Sequence, residues 1–152
     1  LGSGDATLET ALRQAQATHP DRLGVRIGYD EALAHRIEAG ADVFLMPSRF
    51  EPCGLNQIYS LRYGTLPLVR RTGGLADTVV DVSYATLDGG SATGFLFNSP
   101  TPAALLATID RALSLYAQRT AWMRVVKTAM AQDYSWTRSA KRYVELYQGL
   151  RG

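Results

Sequence analysis

The 152-residue sequence contains neither G-x-x-x-x-G-K-[S/T] nor G-x-G-x-x-G, which disfavours an ordinary P-loop or dinucleotide-binding domain. It has one cysteine, Cys53, so no internal disulfide can form, which fits a reducing compartment and a cytoplasmic protein. Its two histidines, His19 and His35, stand apart from any cysteine or histidine cluster, so no metal site and no bound cofactor is expected. The net charge of +2 is small and its basic residues are spread along the chain, an arrangement that does not suit nucleic acid. No apolar run approaches the ~20 residues of a spanning helix, so a membrane is not an expected partner either. A charged-then-apolar leader is also missing. The chain does not begin with methionine, and Leu1–Asp5 reads as the tail of a strand followed by a loop. It is therefore expected to be a piece of a longer protein. No repeat, linker or low-complexity stretch interrupts it, and its length suits one compact domain over 1–152.

What the sequence does contain is an alternation of short apolar strands and amphipathic helices. Asp5 or Thr7 can cap a helix to about Thr18, with Leu8, Ala11, Leu12 and Ala15 spaced three and four apart. Leu23–Ile27 reads as a strand. Asp30 caps a helix over 31–39 that Gly40 closes, and 41–46 is an almost wholly apolar strand. A helix over 55–63, opened by Gly54 and ended by Gly64, leads to a strand at 66–69. There Pro67 predicts pairing that is incomplete or begins late. A strand at 94–97 and helices at about 101–117, 119–132 and 136–148 complete the chain. This order predicts an α/β fold with a doubly wound parallel sheet, whose ligands sit at the carboxyl ends of the strands.

Two glycine turns fall at such ends, Glu51-Pro-Cys-Gly54 and Gly73-Gly74. A helix N-terminus carries free N–H groups and roughly half a positive charge. The N–H groups of Gly54, Leu55 and Asn56 could hold a phosphate, with Gly73, Gly74 and Leu75 offering a second set. Arg49, Arg70 and Arg71 could add charge. Glu51 is the unusual member, because a phosphate repels a neighbouring carboxylate. The placement makes sense if Glu51 faces sugar hydroxyls or a carbon that becomes positive; it could equally be a solvated loop acid or a cap for the following helix.

The segments IGYDEALAHRIEAGADVFLMPSRFEPCGLNQIYSLRYGTLPLVRRTGGLADTV, TGFLF and DYSWTRSAKRYVELY closely resemble the bacterial glycogen synthase and plant starch synthase family. The resemblance covers essentially the whole chain. Many related transferases carry E-x₇-E, whereas Tyr59 stands at the second position here. That is similar to glycogen and starch synthases and unlike sucrose-type or lipopolysaccharide-type relatives.

The resemblance implies a Rossmann-like domain, the C-terminal half of a GT-B glycosyltransferase with C-terminal helices. It also implies a retaining enzyme that elongates α-1,4-glucan from ADP-glucose. Glu51 matches the glutamate that supports the oxocarbenium-like transition state. Cys53, Gly54 and Leu55 match the turn that meets glucose and phosphates, and Asn56 a position near ribose and phosphate. Tyr29 matches a tyrosine lining the adenine site, Ser48 and Arg49 the pocket floor, and Gly73 and Gly74 a loop facing the inter-domain cleft. The family's K-x-G-G-L motif, its acceptor domain and a phosphate-holding lysine and arginine have no counterpart in this sequence, so the glucan acceptor would bind through the missing domain. A non-catalytic nucleotide-binding fragment and a UDP-sugar-dependent transferase are the alternatives. Plainer roles also apply. Tyr29 could be a surface aromatic, Cys53 reads as a small buried hydrophobe without nucleophilic work, His35 is expected to be structural, and Trp122, Trp136, Tyr143 and Tyr147 read as core.

Overall fold

The computed structural model describes residues 1–150, and its backbone contacts group into two compact units, Leu1–Glu38 and Ala39 onward. The first unit opens with α1 (Ala6–Thr18), which Asp5 caps by accepting the N–H groups of Thr7 at 2.8 Å and Leu8 at 3.3 Å. No residue of α1 is buried. The expected strand at 23–27 reduces to a single parallel bridge, Gly2 to Ile27, closed by Gly2 N–H to Arg26 O and Gly28 N–H to Gly2 O. A ladder needs consecutive bridges, and the segment finds only this one among the described residues. Asp30 accepts the Leu33 N–H at 2.9 Å at the start of α2 (Glu31–Gly40). Glu38 is buried, and burial pushes its carboxyl up while His35 opposes the shift.

The second unit is built on a three-stranded parallel sheet in the order β1 (Val43–Met46), β2 (Leu66–Arg70), β3 (Phe95–Phe97). Between them lie α3 (Asn56–Tyr63), α4 (Gly73–Thr78) and α5 (Tyr84–Asp88); α6 (Pro102–Tyr116), α7 (Arg119–Met130) and α8 (Trp136–Gly149) follow. The sequence reading missed α4 and α5, which at six and five residues are too short to show an apolar period. Ser83 and Thr86 form a reciprocal cap at the start of α5, so a local signal for it existed.

Strand β2 is buried from Leu66 to Val69, as a strand covered on both faces must be. Alternate side chains feed two clusters. Leu66, Leu68, Phe95 and Phe97 pack with Leu61 of α3, Ala112 and Leu115 of α6, and Trp122, Val125 and Val126 of α7. Val69 and Leu96 pack on the other side with Leu75 of α4 and Val79. The sheet is thus doubly wound, and each fully buried aliphatic or aromatic side chain contributes about 1.5–3 kcal/mol. Trp122 stacks on Phe95 and meets the edge of Tyr116, with centroids 6.2 and 5.0 Å away. Pro67 pairs with Phe44 of β1, while pairing to β3 begins only at Leu68, past the residue that lacks an N–H. Of the four aromatics expected in the core, only Trp122 is there; Trp136, Tyr143 and Tyr147 are exposed on α8, none of whose residues is buried.

Candidate functional site

Strand β1 delivers the chain into the segment 47–55 at the carboxyl edge of the sheet, and β2 delivers Arg70 and the 71–74 turn beside it. The two glycine turns touch. Gly74 N–H donates to the carbonyls of Glu51 at 3.2 Å and Pro52 at 3.1 Å. A Cβ on Gly73 would land on the Glu51 carbonyl, and one on Gly74 on the Cys53 backbone. Gly73 also has φ +44°, a left-handed value that favours glycine. These two glycines are therefore required by protein backbone.

The turn after β1 is held by its carbonyls from three directions. The Arg70 guanidinium donates to Ser48 O at 2.7 Å and also to Arg49 O. Gly74 takes Glu51 O and Pro52 O, as described. The Gln57 side-chain amide donates to Cys53 O at 3.0 Å and Gly54 O at 3.1 Å. The N–H groups of Gly54, Leu55 and Asn56 make no hydrogen bond among the described residues. Leu55, the residue before α3, supplies no side-chain cap. The helix therefore presents uncapped donors and the positive end of its dipole at an exposed turn. Leu55 is 58% exposed.

The second set of donors expected at Gly73–Leu75 is largely spent. Gly74 N–H holds the first turn, and Leu75 N–H returns to Thr72 O at 3.1 Å. Two of the three candidate cations are also committed, Arg70 to carbonyls and Arg71 to Asn98 Oδ1 at 3.1 Å. Arg49 is exposed, Ser48 and Glu51 are half-buried, and Asn56 opens α3 on the surface. Cys53 is exposed, against its reading as a buried hydrophobe, because its carbonyl and not its side chain turns inward. Tyr29 belongs to the first unit and is 88% exposed. No group of three or more His, Cys, Asp or Glu among the described residues could hold a metal ion.

The sequence reading passed over Gln57 and Thr78. A signal existed for Gln57: it lies four residues before the core Leu61, so a polar amide had to fall on the buried face of α3. Thr78 Oγ1 donates to Gly74 O at 2.6 Å and accepts from Gln57 at 3.2 Å. Its carbonyl accepts the Tyr134 hydroxyl at 2.7 Å. Burial pushes the Tyr134 phenol up, with Arg138 opposing.

Residues 8–127 match the family described as glycosyl transferases group 1. The chain belongs to this family. The glycogen synthase of Thioalkalivibrio sulfidiphilus is 57% identical over 150 residues, and that of Anaeromyxobacter dehalogenans (strain 2CP-1) is 60% identical over 151. Each alignment covers 99% of this chain and 31% of the relative, so the chain spans about a third of the length of the curated relatives it matches. The solved catalytic domain of starch synthase IV from Arabidopsis thaliana, bound to ADP and acarbose, superposes with a TM-score of 0.82 at 37% identity. That match covers 97% of this chain and 30% of the other. Sucrose-phosphate synthase from Thermosynechococcus elongatus matches at 24% identity with a TM-score of 0.63 over 97% of this chain and 37% of the other, a likeness of fold.

Proposed function

We propose that this chain is the donor-binding part of a retaining glucosyltransferase that elongates α-1,4-glucan from ADP-glucose. The observation that carries the reading is the set of unspent N–H groups at Gly54, Leu55 and Asn56, three to five residues after Glu51. When the bond between glucose and diphosphate breaks, negative charge collects on the leaving diphosphate and positive charge on the anomeric carbon. Backbone donors at the end of α3 suit the first charge and the Glu51 carboxylate suits the second. Opposite charges are thus separated along the six residues from Glu51 to Asn56. Ser48 and Arg49 shape the floor of the pocket, and Gly73 and Gly74 hold the turn in place. The glucan acceptor meets the donor through a further domain, and the protein works in the cytoplasm.

The full-length protein, given labelled ADP-glucose and glycogen, is expected to extend the polymer. Glu51→Ala is expected to lower kcat by about 10²–10³ with little change in ADP affinity. Equal losses in rate and affinity would reduce Glu51 to a binding group. The present chain alone spans about a third of its relatives, which favours a second reading for it in isolation, as a nucleotide-binding module without transfer activity. Calorimetry with ADP and UDP separates the nucleotides: tighter UDP binding would assign a UDP-sugar donor instead.

A further inference from the structure

Gln57 is fully buried, yet its side-chain oxygen has no hydrogen-bond partner among the described residues. All its donors are used, on Cys53 O, Gly54 O and the Thr78 hydroxyl. Flipping the amide would not help, since the oxygen would then face two carbonyls. An unsatisfied buried acceptor costs about 1–3 kcal/mol, which an apolar side chain of the same size would avoid. The residue is poorly explained by stability alone.

Gly54 points the same way. It has φ +71°, and a Cβ there would run into the Gln57 carboxamide, with its carbon 3.0 Å away. The sequence suggested that Gly54 keeps space for a ligand; the space it leaves is filled by Gln57. Glycine and glutamine thus form one unit.

The consequence follows from the geometry of the peptide group. A trans peptide is planar and its C=O and N–H point in opposite directions. No cis peptide occurs among the described residues. The Cys53 carbonyl shares its plane with the Gly54 N–H, and the Gly54 carbonyl with the Leu55 N–H. Drawing both carbonyls inward onto one amide nitrogen turns both N–H groups outward. We infer that Gln57 is a positioning residue that orients the Gly54 and Leu55 donors toward a bound diphosphate, with Thr78 fixing the amide from α4. This role rests on the donor-site reading above.

The test uses the full-length protein and ADP as probe. In Gln57→Met the orphan acceptor disappears together with the amide that donates to Cys53 O and Gly54 O, so the gain and the loss offset and the melting temperature stays within a few degrees. ADP affinity is expected to fall about tenfold to a hundredfold, because two donors to a charged ligand lose their orientation. The KM for ADP-glucose rises while the KM for glucan stays within about twofold, a split that a general loss of packing would not give. Thr78→Val provides the second arm should Gln57→Met fail to fold: it weakens ADP binding severalfold, and Thr78→Ser restores it. A folded Gln57→Met protein that binds ADP as tightly as wild type overturns the positioning role alone, as does equal ADP binding by Thr78→Val and Thr78→Ser. Wild-type protein that binds no ADP overturns the donor-site reading and this role with it.

Discussion

The two glycine turns of the sheet edge look alike in sequence and do opposite things. The 51–54 turn gives its carbonyls to the protein and keeps the N–H groups of Gly54 and Leu55 unspent. The 73–74 turn gives the N–H of Gly74 to the first turn and its two missing Cβ atoms to close backbone contact. One turn leaves two donors unspent and the other holds it in place. A glycine before a helix therefore has no fixed meaning; what sits where its Cβ would be decides its role.

This contrast sets an order of expected effects. Gly73→Ala combines left-handed strain with overpacking against the Glu51 carbonyl, at about 2–6 kcal/mol. It should appear in denaturant unfolding as a large fall in midpoint; a loss under about 1 kcal/mol would remove the supporting role of this turn. Gly54→Ala is expected to cost less, about 1–2 kcal/mol of left-handed strain, because its Cβ would displace a side-chain amide and not backbone. Its larger effect should be on ADP affinity. If Gly54→Ala proved as destabilising as Gly73→Ala with ADP binding intact, the two turns would be equivalent after all.

The smallest effect concerns the anchorage of the 73–74 side, where Tyr134 holds the Thr78 carbonyl. The Ser135 N–H donates to Asp133 at 2.9 Å and holds its carboxyl below the usual aspartate value, with smaller help from Arg138 and Lys141. A lowered folded pKa stabilises the fold above the unfolded value of about 3.9 and loses that contribution as pH falls through the lower folded value. Asp133→Asn should therefore melt slightly below wild type at pH 7, and the gap should close as the pH drops from about 4 toward 2. A gap that persists unchanged to pH 2 would assign the effect to something other than the carboxylate.

Much of this arrangement was legible in the residues. Glycines at 54 and 64 bound α3, and the apolar runs at 41–46 and 66–69 mark parallel strands, although the first is only partly buried because it lies at the edge of the sheet. Pro67 correctly forecast late pairing toward β3. Such signals act through the chain's own φ angles and side-chain period, within a few residues. The segment at 23–27 misled for the same reason: strand-like composition is local, but a strand exists only where a partner pairs along it.

What the sequence by itself determined is the alternation of strand and helix and the place of Glu51 and its glycine turn at a strand end. Only the tertiary structure decided which donors stay free. Arg70 reaches back to Ser48, Gly74 to Glu51, and Gln57 across to Thr78, all over separations of more than twenty residues. The parallel register of β1 and β2 brings these groups within 3.2 Å, and hydrogen bonding at that range is settled by packing, not by composition.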